Sequence, residues 1–268
     1  MLTRTITGVI LAAILITALA LGGWWFSVMY MAAIALSVYE MVKAIKAGGH
    51  KPCLWPMALC TALSLPLLTR GLGKSAVIMP LMTTACMLTA AVVMFRREPR
   101  LEDILMSVLP LIAVVLPGMC MLALSRAPSR EVELLLILLS FGVPLMGDTM
   151  AYFGGSLLGK HKLCPAVSPK KSVEGAVAGL LGSMLFATVT WLIFARMTAL
   201  PPVWHAMVLG LCGGVAGQLG DLFASLLKRH AGVKDYGSIF PGHGGMMDRL
   251  DSVYWATVVM YVYLIWFM

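Results

Sequence analysis

The stretch from Ser225 to Asp251 concentrates chemistry-bearing side chains between two apolar runs. It holds Lys228-Arg229, Lys234-Asp235, Pro241-Gly242-His243-Gly244-Gly245 and Asp248-Arg249-Leu250-Asp251, and Asp221 lies just inside the preceding run. Cations, carboxylates and glycines packed at a membrane boundary can hold a metal ion and phosphates. Carboxylate oxygens on a helix suit Mg²⁺, which takes one or two of them together with substrate phosphates. Asp221 and Asp248 are therefore the expected ligands. Asp251, three residues on, is a further ligand or a cap of the last helix. Gly242 to Gly245 offer a backbone able to approach anionic oxygens and present N–H groups to them, with His243 as a phosphate contact. Lys228, Arg229, Lys234 and Arg249 bring charge for a triphosphate, the arginines in bidentate fashion. A lone basic residue beside a membrane is ordinarily a topology signal or a headgroup contact. The density of this cluster is what argues for a ligand.

The elements that must position these groups are membrane helices. Of 268 residues 60% are hydrophobic and 12% charged, against roughly 25% charged in soluble chains. Runs long enough for a hydrocarbon core of ~30 Å recur throughout, at 6–22, 24–42, 54–69, 76–95, 104–124, 132–155, 173–195, 203–227 and 250–268. The expected fold is an all-α polytopic membrane protein of about nine transmembrane helices with a cytoplasmic N-terminus. On that topology fifteen of the 20 Lys and Arg residues face the cytoplasm and five, Arg70, Lys74, Arg126, Arg130 and Arg196, face outward. This is the positive-inside bias, and it places 156–172 and 228–249 in the cytoplasm. The net charge of +8 then calls for no nucleic-acid partner. Residues 1–22 imitate a secretory signal, yet a second apolar run starts at Trp24, so an uncleaved helical hairpin is expected. The six cysteines are scattered singly, with no C-x-x-C pair, which offers neither a metal cluster nor a disulfide framework.

Residues 1–130 carry almost no intramembrane charge, Glu40 sitting near a helix end, and read as scaffold. Residues 131–268 read as the catalytic region. Asp148 lies deep in the sixth run, and a long basic loop follows with Lys160, Lys162, Lys170 and Lys171. Intramembrane carboxylates are costly and ordinarily face a cavity or a partner, so Asp148 and Asp221 count as site candidates. On the eighth helix Gly214, Gly217, Asp221, Ser225 and Lys228 share one stripe. Asp221 sits about 10 Å below Lys228 at about 1.5 Å per residue. Close helix packing accounts for the glycines but not for the carboxylate. Pro110, Pro117 and Pro144 are expected to kink helices. Gly154 to His161 nearly matches a P-loop, but it ends in His and leaves a membrane helix where a strand is required, so that reading is rejected.

The block Ser225–Asp251 resembles the signature of the phosphatidate cytidylyltransferases: S-x-[LIVMF]-K-R, four residues, K-D, then H-G-G, two apolar residues and D-R-x-D. Gly147-Asp148-Thr149, Lys160-His161-Lys162 and Ser168-Pro169-Lys170-Lys171-Ser172 are similar to that family too, with Gly147 where many members have serine. The resemblance implies transfer of a cytidylyl group from CTP to phosphatidic acid. The products are CDP-diacylglycerol and pyrophosphate, and the reaction runs with Mg²⁺ at the cytoplasmic face of the cell (inner) membrane. It assigns Asp221, Asp248 and Lys228 to catalysis. Substrate binding falls to Ser225, Arg229, Lys234, His243, Gly244, Gly245, Arg249, Lys170 and Asp148. It leaves a homodimer open. The phosphatidate oxygen is already a nucleophile, so no Ser-His-Asp relay is needed; positioning and charge neutralisation are. The competing reading is an ion-coupled transporter using Asp148 and Asp221. A CDP-alcohol phosphotransferase is excluded by the absence of D-x-x-D-G-x-x-A-R.

Overall fold

A computed structural model describes residues 2–69, 74–242 and 244–268; Arg70 and His243 lie outside them. Among the described residues seven helices are long and apolar enough to cross a membrane, and two shorter apolar helices accompany them. The all-α reading therefore holds, and each expected run coincides with a helix to within a few residues.

The chain divides into two compact units. One joins Met1–Ser125 to Leu227–Leu250, and the other joins Arg126–Leu226 to Asp251–Met268. The first unit begins with α1 (Leu2–Leu21) and α2 (Gly23–Ala47). Gly22 and Gly23 separate them with φ of 61° and 51°, a left-handed pair that only glycine adopts cheaply. α3 (Trp55–Leu68), α4 (Lys74–Met94), α5 (Leu101–Pro110) and α6 (Leu116–Leu124) follow. Between α5 and α6 the helix widens into a π turn, Leu111–Val115. Pro117 donates no N–H to residue 113 and its ring crowds that carbonyl, so the expected kink takes the form of a π-bulge. Phe26, Tyr30, Ile34, Val38, Met41 and Ile45 of α2 are buried as one stripe. Ile34 lies so near Gly118 of α6 that a Cβ there would sit 2.6 Å from its Cδ1. Asp103, buried in α5, accepts from Lys51 N at 2.8 Å and fixes the α2–α3 connection. His50 and His230 face each other with Nε2 atoms 3.1 Å apart. Their ring centroids are 5.4 Å apart and the planes differ by 19°, the geometry of an end-to-end N–H···N hydrogen bond.

The second unit is built on α7 (Arg130–Leu158) and α8 (Val173–Phe194). Ser129 caps α7 and Ser172 caps α8, accepting from Val132 N and Gly175 N, with acidic residues in both first turns where they complement the helix dipole. The two helices run antiparallel at close range. A Cβ on Gly154 would lie 2.4 Å from Ala178 Cβ, and one on Gly179 would lie 2.8 Å from the Gly147 carbonyl. The segment read as a long basic loop contains a two-stranded antiparallel hairpin, β1 (Lys162–Cys164) against β2 (Ser168–Ser172), pairing Lys162 with Ser172. α9 (Trp204–His230) and α10 (Met247–Phe267) complete the chain, and the boundary between units falls within each of them. Gly214 packs against Ser183, and Gly217 packs against Pro144 and the Ser252 carbonyl, so the glycines of the stripe serve helix contact.

Candidate functional site

In the second unit a cavity of about 350 Å³ is lined by Asp148, Tyr152, Lys170, Lys171, Ser172 and Gln218, among others. α7 supplies Asp148 and Tyr152, the hairpin supplies both lysines, and α9 supplies Gln218. Lys171 Nζ forms an ion pair with Asp221 Oδ2, and each side chain is 27% exposed. Ser225 Oγ donates to Asp221 Oδ1 at 3.4 Å. The unit thus brings together Asp148, Lys170, Asp221 and Ser225 as expected, and adds Lys171 and Gln218. Lys171 was legible only as one of several loop cations. Gly147, on the turn before Asp148, has no room for a serine, because its Cβ would lie 2.7 Å from Ser183 Oγ, which donates to the Val143 carbonyl. The P-loop look-alike is the end of α7 and the entry to the hairpin, where Lys160 N and His161 N donate to Glu174.

In the first unit the glycine-rich loop folds onto two carboxylates. α9 ends through Gly232, whose φ of 67° closes the helix as a left-handed cap. Asp248 Oδ1 accepts from Lys228 Nζ at 2.7 Å, and Oδ2 accepts from Tyr236 N at 2.8 Å and Gly245 N at 3.0 Å. The side chains of Lys228 and Asp248 are 15% and 3% exposed, and Lys228 Nζ stands 5.3 Å from the centre of the Tyr236 ring. Gly244, with φ of 80°, returns its carbonyl to Phe240 N at 3.0 Å. Glu40 of α2, 2% exposed, accepts from Met247 N at 2.9 Å through Oε2. The Gly245 N–H goes to Asp248. Lys234 and Arg249 line a cavity of about 530 Å³ with Asp235, Ser238, Gly242 and Gly244. Arg229 is exposed at the end of α9, and His243 lies outside the described residues.

Two residues of the expected scaffold half belong to this setting. Lys43 lines a cavity of about 310 Å³ with Asp235, Tyr236 and Ser238. Glu40 carries the same signal as Asp148 and Asp221, a carboxylate inside an apolar run.

The three expected metal ligands differ in what they offer. Asp221 is partly exposed and its partner is a lysine, which a cation would replace while a phosphate drew the lysine away. Asp248 accepts three hydrogen bonds, which leaves about one of the roughly four lone-pair directions of a carboxylate. Asp251 is buried, and its Oδ1 accepts from both the N–H and the hydroxyl of Ser252, the pattern of a local structural contact. Among the described residues no three His, Cys, Asp or Glu side chains cluster. Mg²⁺ needs only one or two carboxylates when phosphates complete its shell, so the chemistry of Asp221 fits such an ion and that of Asp251 does not.

A model of the cytidylyltransferase family matches residues 2–267. The chain is 43% identical over 137 residues to the phosphatidate cytidylyltransferase of Staphylococcus saprophyticus, covering 51% of this chain and 52% of that one. It is 42% identical over 129 residues to that of Staphylococcus haemolyticus, 48% of each chain. It is 41% identical over 138 residues to that of Staphylococcus epidermidis, 51% and 52%. The chain thus spans about half the length of the curated relatives it matches.

Proposed function

The chain belongs to the cytidylyltransferase family, and we propose that it transfers a cytidylyl group from CTP to phosphatidic acid in the membrane. The observation that carries this reading is the Lys171–Asp221 ion pair. It joins a carboxylate of a membrane helix to a lysine that lines a cavity with Lys170 and Asp148. A cavity of that size falls in the range of ligand sites, and its lysines suit an anionic headgroup. Exposed apolar residues of α7 and α8, among them Tyr152, Phe153, Leu157 and Val177, suit a substrate with acyl chains. The basic cavity of Lys234 and Arg249 suits the nucleotide. The phosphatidate oxygen attacks the α-phosphorus of CTP, the new P–O bond forms, and the bond to the β-phosphate oxygen breaks to release pyrophosphate. This chain's residues neutralise charge and hold the groups in place, which is where catalysis of phosphoryl transfer lies. Lys171 and Lys170 bind phosphate oxygens, and Ser225 orients Asp221. Lys228 holds the Asp248 carboxylate in place through their ion pair.

Mg²⁺ is the proposed cofactor, with Asp221 as an oxygen ligand in the second unit; when bound it would offset charge on the phosphates. The positive-inside bias supports a cytoplasmic N-terminus and a cytoplasmic opening to CTP, and the bacterial relatives support a cell-membrane location. An ion-coupled transporter is the weaker reading, because Asp221 pairs with a lysine rather than facing an ion path. The test is conversion of phosphatidate and labelled CTP by the purified protein, against the other three nucleoside triphosphates. Product with CTP alone supports the proposal, and equal reaction with all four refutes it.

A further inference from the structure

A buried carboxylate is costly unless its oxygens are satisfied, and Glu40 is buried in a membrane helix at 2% exposure. Its Oε2 accepts from Met247 N, the residue that opens α10, 207 positions along the chain. Two glycines of the intervening loop close on the same group. A Cβ on Gly237 would lie 2.2 Å from Oε1, and one on Gly245 would lie 2.3 Å from Oε2 and 2.4 Å from Oε1. Neither glycine has a positive φ. Both are therefore required for room and not for backbone freedom. Oε1 meets no hydrogen-bond partner among the described residues, so the group is retained for what Oε2 and its shape do.

We propose that Glu40 is a positioning residue for the glycine-rich loop. Its carboxylate holds Gly237, Gly245 and Met247 in place. In that conformation Tyr236 N and Gly245 N both reach Asp248, and Asp248 meets Lys228. The loop cannot drift from α2 without breaking the Met247 bond, and it cannot close further because the two glycines already touch the carboxylate. The kinetic consequence rests on the cytidylyl-transfer reading; the anchoring does not. A misplaced Asp248–Lys228 pair loses orientation at the reacting phosphates, which lowers turnover more than substrate affinity.

The test compares purified wild type with E40A and E40Q by amide hydrogen exchange and by steady-state kinetics with phosphatidate, CTP and Mg²⁺. In E40A, exchange at Tyr236, Gly245 and Met247 should quicken at least tenfold while α8 amides are unchanged. Its kcat should fall at least tenfold with the KM for CTP within threefold. E40Q retains one acceptor and the shape, so it should restore both readouts to within threefold of wild type. Should E40A not fold, G237A disturbs the same contact from the loop side and should quicken the same three amides. Unchanged exchange in E40A or G237A overturns the proposal, as does an E40Q as impaired as E40A. A wild type with the expected exchange pattern but no transfer would sink the functional reading and leave the anchor standing.

Discussion

Gly245→Ala is a small change with a large expected cost, and the cost can be worked from contacts. The added Cβ would sit 2.3 Å from Glu40 Oε2, about 1 Å inside ordinary contact. Glu40 is enclosed, so its carboxylate must both press into the core and give up the Met247 amide. Overpacking of this kind costs roughly 1–3 kcal/mol. Losing a hydrogen bond to a charged group costs roughly 1.5–3 kcal/mol. Gly→Ala returns about 0.4–1 kcal/mol by restricting the unfolded chain. The net destabilisation is about 2–5 kcal/mol. Gly49→Ala is the control: its φ is 88° with nothing within 4 Å, so it pays only left-handed strain of about 1–2 kcal/mol. Reversible unfolding in mild detergent measures both. The decisive comparison is G245A in an E40A background, where the collision is gone and the increment should fall below about 1 kcal/mol. A G245A protein within about 0.5 kcal/mol of wild type, the scale of neutral surface changes, would refute the reasoning. So would an increment that is the same with and without Glu40.

Asp221→Asn should abolish turnover while abundance in the membrane stays near wild type, because a partly exposed ion pair contributes only about 0–1 kcal/mol; substantial activity at saturating Mg²⁺ removes Asp221 from the site. Lys228→Ala should destabilise by about 3–5 kcal/mol by leaving Asp248 buried without its cation, whereas Lys46→Ala, exposed on α2, should leave the melting temperature and the KM for CTP unchanged. Ser238→Cys in a cysteine-free background should react with an impermeant maleimide only from the cytoplasmic side, and labelling from the outer face of intact cells contradicts the topology.

The membrane helices were legible because each needs a long apolar run, and such runs are hard to mistake. The hairpin at Lys162–Ser172 was not, since a short polar, lysine-rich pair of strands has no apolar face to reveal its period. Among the candidate residues, Asp148, Asp221 and Ser225 were identified from composition and spacing and Lys170 from the family resemblance, and the four lie in one unit. What escaped was the use of the loop. Sequence suggested that Gly244 and Gly245 offer N–H groups to phosphate, because nothing in their spacing reveals that a glutamate more than two hundred residues earlier occupies the space beside Gly245. For the same reason the two compact units are each built from segments far apart in the chain. Contacts such as Glu40 with Met247 are long-range, and no local pattern encodes them.

The central claim is that this chain, on its own, joins CTP to phosphatidate. It is tested most directly by incubating the purified protein with [α-³²P]CTP, phosphatidate and Mg²⁺ in mixed micelles, then separating the lipid phase and assaying pyrophosphate. Labelled CDP-diacylglycerol and unlabelled pyrophosphate are expected in equal amounts, with neither from the Asp221→Asn protein. No labelled lipid from wild type, or the same amount from both proteins, would contradict it.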